Sequence, residues 1–478
     1  MNYRFILKTL GSLLLIESIG MAPSLFISMY NRQNDMMAFI ITIAITGIIG
    51  FALTRINAAN EKVKAREGLV LVSLGWILVS LFGCLPFIIS GVIPSFVDAF
   101  FETVSGFTTT GATILGDVEV LPRGLLFWRS FSHWLGGMGI LVFTIAVIPA
   151  MGAGGFHVFK AEATGPTADK IVPRMKDTAK ILYITYSSIT LAAIFLLKLG
   201  GMTFFESSIH AFGTIGTGGF STRNASIGAF DSTYTQVVVA LLMVLSGVNF
   251  YLYFTLYKRK WKDVIKNEEL RFYLSIVLIS TILVSINIKS MYHSLGEALR
   301  HAFFQVSSII TTTGYMTVNF DEWPTFSKGI LFVLMFVGGC AGSTAGSIKV
   351  IRILALLKQI KAEILRLVHP RAVISVKIDN HPISAGALSS IASFFILYII
   401  VFVLGTLVVS LEGVGLVSAA SAVSATLGNI GPGFEFVGPL RNFGELSIYS
   451  KLLLSLLMLL GRLELFTLIS LFIPRFWK

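Results

Sequence analysis

Four short polar stretches, each ending in glycine, are the residues of this chain best suited to bind an ion. They read TTTG at 108–111, IGTG at 215–218, TTTG at 311–314 and GNIG at 428–431. Each begins at or just after the end of an apolar segment that is too short to cross a bilayer. These segments are 97–108, 204–214, 297–310 and 415–427. At membrane depth an irregular backbone is tolerated only where it is buried in protein or lines a water-filled cavity. Four such loops can turn their carbonyl oxygens toward one axis, where a partly dehydrated cation replaces water.

The surroundings of these loops indicate an internal repeat. DAFFETVSGFTTTG at 98–111 and HAFFQVSSIITTTG at 301–314 share Ala-Phe-Phe and TTTG, while the second and fourth copies are more diverged. Aligned on Gly111, Gly218, Gly314 and Gly431, the copies recur roughly every hundred residues, and a fixed period indicates a repeated architecture. Glycine permits positive φ and close backbone approach, and threonine adds a hydroxyl and a stiff χ1. The alternative is that the loops are ordinary turns outside the membrane.

A fifth polar stretch, GGCAGSTAGS at 338–347, interrupts an apolar run at 327–356. Glycine disfavours helix by about 1 kcal/mol relative to alanine, so this stretch predicts an unwound loop able to close a pore below the four loops. The alternative is a helix-packing seam, because glycines spaced by four form a small-residue stripe. The residues concerned are Gly338, Gly339, Gly342, Ser343, Thr344 and Gly346, followed by Lys349, which is equally suited to be a basic anchor at the membrane surface.

Arg462 is a charge inside an apolar run. In a continuous helix it would lie about 18 Å from Pro474, too far for its side chain to reach the interface. A guanidinium at such depth usually faces a bundle interior or water. We expect Arg462 beside the pore, bonded to carbonyls of the 338–347 loop, with Glu464 on another helix face. The alternative is a structural ion pair with a carboxylate of a neighbouring helix.

The elements that position these residues are membrane-spanning helices. Of the 478 residues 55% are hydrophobic and only 13% are charged, which predicts an all-α polytopic membrane protein. Ten spans are predicted, of which the first two stand outside the repeat: 6–30, 36–54, 68–91, 124–150, 179–199, 233–257, 272–288, 327–356, 385–411 and 446–473. Each repeat therefore consists of a span, a half-helix, a polar loop and a second span.

The net charge of +12 does not indicate a nucleic-acid partner. Most basic residues gather in loops on one side of the predicted membrane, which places both termini in the cytoplasm by the positive-inside rule and makes the lipid bilayer the partner. The first apolar run is interpreted as a retained span and not a signal peptide.

An enzyme is not expected, because the acidic residues are scattered and the seven histidines lack zinc-ligand spacing. Cys84 and Cys340 are interpreted as small core residues, and His133 beside Trp134 as part of the interfacial aromatic belt. No dinucleotide fingerprint is present, so no organic cofactor is expected and nucleotide control would come from another chain.

Six stretches together resemble the membrane subunit of the Trk/Ktr/HKT superfamily of potassium transporters, in its Trk-type branch. They are SGFTTTGAT, GTIGTGGFSTRN, ITTTGY, GNIGPGF, GGCAGSTAGSIKVIR and GRLELFT. The resemblance implies four M1–P–M2 pore units in a pseudo-fourfold arrangement plus two extra N-terminal transmembrane helices. It also implies potassium uptake across the cytoplasmic (inner) membrane of a prokaryote, a homodimer, and gating by a cytosolic RCK-type nucleotide-binding subunit. Sodium or mixed K⁺/Na⁺ passage is the alternative, and the sequence does not separate a passive channel from a symport.

The resemblance assigns roles to residues and boundaries to units. The selectivity filter is expected at Thr108, Thr109, Thr110, Gly111, Ile215, Gly216, Thr217, Gly218, Thr311, Thr312, Thr313, Gly314, Gly428, Asn429, Ile430 and Gly431. Within it, K⁺ is expected at Thr109, Thr110, Ile215, Gly216, Thr312, Thr313, Asn429 and Ile430. The resemblance favours the gate interpretation of 338–347 with Arg462, although Ser347 stands where a second glycine is expected. The units are 1–60, 61–155, 156–262, 263–372 and 373–478.

Overall fold

The computed structural model describes residues 1–57, 65–137, 139, 175–372 and 374–477. Within these ranges the chain is almost entirely helical, and its two strands, β1 (Lys377–Ile378) and β2 (His381–Pro382), form one antiparallel hairpin. The predicted all-α class is therefore confirmed.

The first two helices pack tightly against each other. They are α1 (Tyr3–Tyr30) and α2 (Met36–Thr54). A Cβ added to Gly11 would lie 2.8 Å from Gly50 O, and one added to Gly50 would lie 2.9 Å from Gly11 O, so small residues permit the close crossing. The turn between α1 and α2 contacts a later part of the chain, because Asp35 Oδ2 accepts a hydrogen bond from Leu125 N at 3.2 Å.

Four sets of helices follow, each with a first helix, a short pore helix and a second helix. The first set is α3 (Ala65–Gly83) with α4 (Leu85–Ile89), α5 (Phe96–Phe107) and α6, which is helical over 123–137. The second is α7 (Met175–Leu199), α8 (Phe204–Ile215), and α9 (Thr233–Ser246) with α10 (Phe250–Tyr257), followed by a short α11 (Trp261–Lys266). The third is α12 (Glu268–Ile288), α13 (Leu295–Ile310), and α14 (Thr325–Leu334) with α15 (Val350–Val368). The fourth follows the hairpin with α16 (Ala385–Ser410), α17 (Leu416–Leu427), α18 (Ile448–Arg462), α19 (Phe466–Ile469) and α20 (Pro474–Trp477).

Six helical stretches of the described ranges are long and apolar enough to cross a membrane by themselves. They are Tyr3–Tyr30, Met36–Thr54, Arg66–Ile89, Ile181–Leu199, Glu268–Met291 and Ala385–Ser410. The predicted span 327–356 is interrupted between α14 and α15, as expected. The predicted span 124–150 runs beyond the described residues after Gly137 and Gly139.

Two predicted spans, 233–257 and 446–473, are wrong as continuous helices. The chain bends by 93° between α9 and α10 and by 113° between α18 and the segment from Phe466. At the second bend Glu464 and Leu465 take φ of +57° and +53°, which ends the helix. No continuous helix therefore joins Arg462 to Pro474, so the predicted distance of about 18 Å along a helix does not apply. The side chain of Arg462 is nevertheless buried. Both arms of each pair are apolar, so composition does not reveal the bend.

The four pore helices α5, α8, α13 and α17 match the short apolar segments that the sequence predicted. Ser95, Thr203 and Ser294 cap the first three at their N-termini, and Glu206 completes a capping box with Thr203. Each pore helix leads from its C-terminus directly into one polar loop. Because a helix C-terminus carries partial negative charge, four such ends favour a cation where the loops meet.

Candidate functional site

The four polar loops share one backbone conformation. In each, a capping residue follows the pore helix, the next residue has φ close to +54°, and a glycine two residues later has φ between +78° and +103°. The positive-φ pairs are Thr109 and Gly111, Thr217 and Gly219, Thr312 and Gly314, and Asn429 and Gly431. This region is accessible to glycine without strain.

The loops close into a ring, because each glycine faces a carbonyl of the next loop. A Cβ added to Gly111 would lie 2.1 Å from Gly218 O, and one on Gly219 would lie 2.0 Å from Thr313 O. A Cβ on Gly314 would lie 2.1 Å from Ile430 O, and one on Gly431 would lie 2.7 Å from Thr110 O. The order of contacts is first to second, second to third, third to fourth and fourth to first. The four units therefore surround a single axis, as the pseudo-fourfold arrangement requires.

The predicted register of the second loop is wrong by one residue. Gly219, and not Gly218, takes the conformation and the ring position of the other three glycines. Ile215 is the last residue of α8 and Gly216 caps that helix, as Thr108, Thr311 and Gly428 cap the others. The equivalent segment is therefore Gly216, Thr217, Gly218 and Gly219. Two adjacent glycines left the sequence register ambiguous.

The outer threonines of each TTTG brace the loop. Thr108 Oγ1 lies 2.8 Å from Thr110 Oγ1, and Thr311 Oγ1 lies 2.8 Å from Thr313 Oγ1. Asn429 Nδ2 joins this network by donating to Thr110 Oγ1 at 2.9 Å. Within the described part of the chain, the buried hydroxyl of Thr109 has no hydrogen-bond partner. The run of threonines thus fixes the backbone by side-chain bonds.

A buried ion pair that the sequence analysis did not single out supports two of the loops. Arg129 Nε lies 2.5 Å from Glu102 Oε1, and Glu102 Oε2 accepts from Ile114 N at 3.0 Å. Arg129 Nη1 donates to Ser221 O at 3.4 Å, and its guanidinium lies 3.4 Å from the centre of the Phe220 ring. The sequence contained a signal for this pair, because Glu102 and Arg129 each lie in an apolar segment, where a charged side chain needs a partner.

His133 is not a residue of the interfacial belt. Its ring is fully buried, with Nδ1 2.8 Å from Gly106 O and Nε2 3.3 Å from Phe220 N. These partners require an Nδ1–H donor and an Nε2 acceptor, which is one neutral tautomer. A Cβ added to Gly218 would lie 2.3 Å from His133 Cγ. His133 therefore connects the first pore helix to the second loop.

The 338–347 loop lies against one side of the ring, which is called the inner side here. Thr344 Oγ1 donates to Ile215 O at 3.0 Å, and Gly346 N donates to Thr312 Oγ1 at 2.7 Å. The opposite, outer side opens into a cavity of about 130 Å³ lined by Gly111, Gly219, Gly314 and Gly431 together with Arg223 and Arg441. The loop and the cavity therefore lie on opposite sides of the ring.

The loop is unwound, so the packing-seam alternative is wrong. Residues 338–347 are not helical, and Val337 pairs with Ile348 across the base of the loop. Glycines spaced by four share a face only in a helix. Ser347, where the resemblance leads one to expect glycine, has φ of +53°, and its Oγ donates to Met335 O at 2.8 Å.

Arg462 makes the contact that the sequence predicted. The side chain is 4% exposed, Nη1 donates to Thr344 O at 2.9 Å, and Nη2 donates to Gly136 O at 2.8 Å. No carboxylate among the described residues forms an ion pair with it, whereas Glu464 pairs with Arg352. Lys349 is buried and donates to Ala345 O, so it is not a surface anchor. The loop is therefore held from the inner side by two cationic side chains.

Three comparisons with known proteins agree with one another. The profile of the TrkH family, described as cation transport protein, matches residues 31–478. The Trk system potassium uptake proteins TrkH of Halomonas elongata and of Escherichia coli K12 are each 39% identical to this chain, over 484 and 486 residues, covering 100% of both sequences. The crystal structure of the potassium transporter TrkH from Vibrio parahaemolyticus has a TM-score of 0.89 and 36% identity, again covering 100% of both chains.

Proposed function

The chain belongs to the TrkH family of cation transport proteins, and on that premise we propose that it takes up potassium through the ring of four loops. The observation that carries the proposal is the closed order of contacts between each glycine and the carbonyl of the next loop. Carbonyl oxygens around one axis replace the hydration shell of K⁺. We assign the ion sites to carbonyls of Thr109, Thr110, Thr217, Gly218, Thr312, Thr313, Asn429 and Ile430. Relatives are named for potassium uptake, which favours K⁺ over the Na⁺ alternative.

The experiment that tests this function is cation flux into proteoliposomes under an imposed voltage. Flux of K⁺ and Rb⁺ should exceed flux of Na⁺ and Li⁺. Gly111→Ser should lower the K⁺/Na⁺ ratio, because its Cβ would overlap Gly218 O. Gly413→Ser is the matched control, since Gly413 also has positive φ, +76°, but nothing within 4 Å of an added Cβ. An unchanged K⁺/Na⁺ ratio in Gly111→Ser would contradict the ring as a filter.

We further propose that the 338–347 loop is a gate that Arg462 and Lys349 hold closed. The support is its position against the inner side of the ring and its bonds to Ile215, Thr312 and Arg462. In this proposal the inner side faces the cytoplasm of a prokaryote, because α10, which begins at the loop with Phe250 N bonded to Gly342 O, is followed by the exposed basic residues 258–260. With this orientation both termini are cytoplasmic. We also propose that the chain assembles as a homodimer and that a cytosolic RCK-type nucleotide-binding subunit opens the gate.

A further inference from the structure

Glu269 is a buried carboxylate bonded to the gate loop that the proposal above does not use. It is the second residue of α12 and 4% exposed, and its Oε1 accepts a hydrogen bond from Ala341 N at 2.6 Å. Of the acidic side chains that the structure describes, only this one is hydrogen-bonded to residues 338–347. An acidic side chain in the first turn of a helix is favoured by the helix dipole, and here that side chain is also bonded to the loop.

The neighbours of Ala341 are fixed by a second element. Cys340 N donates to Gly247 O at 2.8 Å, and Gly342 O accepts from Phe250 N at 3.1 Å. Both partners lie at the bend between α9 and α10. The stretch 340–342 is therefore anchored to α12 through Ala341 and to this bend through Cys340 and Gly342, whereas Arg462 holds the loop at Thr344.

The N-terminus of α12 is in turn capped by the hairpin of β1 and β2. Asp379 Oδ1 accepts from Glu268 N at 2.8 Å, and Asp379 Oδ2 accepts from Asn267 Nδ2 at 2.9 Å. Asp379 and Asn380 have φ of +49° and +64°, as a two-residue hairpin turn requires. Lys358 of α15 also joins the two elements, since it contacts Glu268 and donates to Lys377 O at 2.8 Å.

An apolar contact connects the same hairpin to the loop. Ile378 is 1% exposed and lies in one buried cluster with Ala341 of the loop and with Ile351 and Ala355 of α15. The tip of the hairpin at Asn380 and His381 is exposed to solvent. One small element therefore reaches from the surface to the loop by two routes, one polar and one apolar.

We propose that the hairpin of β1 and β2 transmits displacements at the inner surface to the gate loop. Glu269 is the residue that positions the loop relative to α12, which the hairpin caps. The inference rests on the proposed gate. When the hairpin shifts, α12 and Ile378 shift with it, and the hydrogen bond to Ala341 and the apolar cluster carry the displacement to 340–342. Glu269 is a positioning residue, because it acts on the path only through the loop.

The test compares variants in proteoliposomes without any partner protein. Glu269→Ala should raise basal K⁺ flux per folded protein roughly tenfold, the factor that corresponds to about 1.4 kcal/mol, with an unchanged K⁺/Na⁺ ratio. Glu269→Gln keeps an acceptor oxygen and should restore most of the closure. Glu363→Ala, an exposed partner of Arg366 on α15, is the matched control and should leave flux unchanged. Basal flux of Glu269→Ala equal to wild type would overturn the role of Glu269.

Hydrogen exchange in detergent tests the hairpin separately from flux. The side chain of Asp379 is hydrogen-bonded to Asn267 and Glu268 of the α12 N-terminus. Asp379→Ala should nevertheless speed exchange of the amides of Cys340 and Ala341, while Glu363→Ala should not. Unchanged exchange in Asp379→Ala would overturn transmission through the hairpin. If Arg462→Ala raises flux but Glu269→Ala does not, this inference alone fails. If neither raises flux, the gate of the proposed function fails as well.

Discussion

At the scale of single residues, two adjacent glycines decide the register of the second loop. A Cβ on Gly218 meets the His133 ring, whereas a Cβ on Gly219 meets Thr313 O at a backbone φ of +78°. Gly218→Ala alone should therefore lower the K⁺/Na⁺ ratio, and adding His133→Ala, which removes the ring, should restore part of it. Gly219→Ala should lose selectivity with or without His133, because its obstacle is backbone. The measurement is a double-mutant cycle on the flux ratio. Equal coupling of both glycines to His133 would contradict the register assigned here.

Some contacts of the site could be predicted from residue types in the sequence, and others could not. Arg462 was predictable because an isolated charge in an apolar run must find carbonyls, water or a counter-charge. The bonds of His133 to Gly106 O and Phe220 N were not, since they join segments far apart in sequence. The same holds for Glu269, whose partner Ala341 is an alanine with no distinctive side chain.

At the scale of elements, the pore helices and the interrupted helix of the third unit were predictable, whereas the bends in the second helices of the second and fourth units were not. Short apolar segments ended by polar residues define α5, α8, α13 and α17 by length alone. The break between α9 and α10 depends on backbone partners, because Gly247 O bonds Cys340 N and Phe250 N bonds Gly342 O. The loop from the third unit thus supplies hydrogen bonds that a continuous helix in the second unit would have made internally.

The gate loop gives the prediction that belongs to this scale. Arg462→Ala removes a charge-assisted hydrogen bond of about 1.5–3 kcal/mol to Thr344 O, and deletion of 340–345 removes the blocking segment. Both should raise basal K⁺ flux per folded protein at least tenfold while leaving the K⁺/Na⁺ ratio unchanged, because the ring glycines are untouched. Arg55→Ala, at the exposed end of α2, is the control. Lower normalised flux in both variants would mean that 338–347 only supports the fold.

At the scale of the whole molecule, the proposed filter involves all four units, whereas the proposed gate belongs to one unit. All four units contribute equivalent glycines and carbonyls to the ring, so a change in one loop alters a neighbour as well. The 338–347 loop comes from the third unit alone, and it contacts the end of the second pore helix at Ile215, the third loop at Thr312 and the fourth loop at Gly428. On the proposed gate, opening needs movement of one unit only, and the proposed partner would drive it from the inner surface.

The exposed basic residues before α12 predict where such a partner binds. Lys258, Arg259, Lys260 and Lys262 are all exposed around α11, close in sequence to the N-terminus of α12 that Asp379 caps. In mild detergent, pull-down from native membranes should recover a soluble nucleotide-binding protein, and light scattering should give two copies of the chain.

Replacing the four residues by serine should weaken capture, and so should raised salt, because exposed charges are screened. Lys289→Ser, at the other end of α12, is the control and should capture normally. Recovery of this chain alone from wild-type membranes would contradict the partner, and equal capture by the fourfold variant would contradict its placement beside α12.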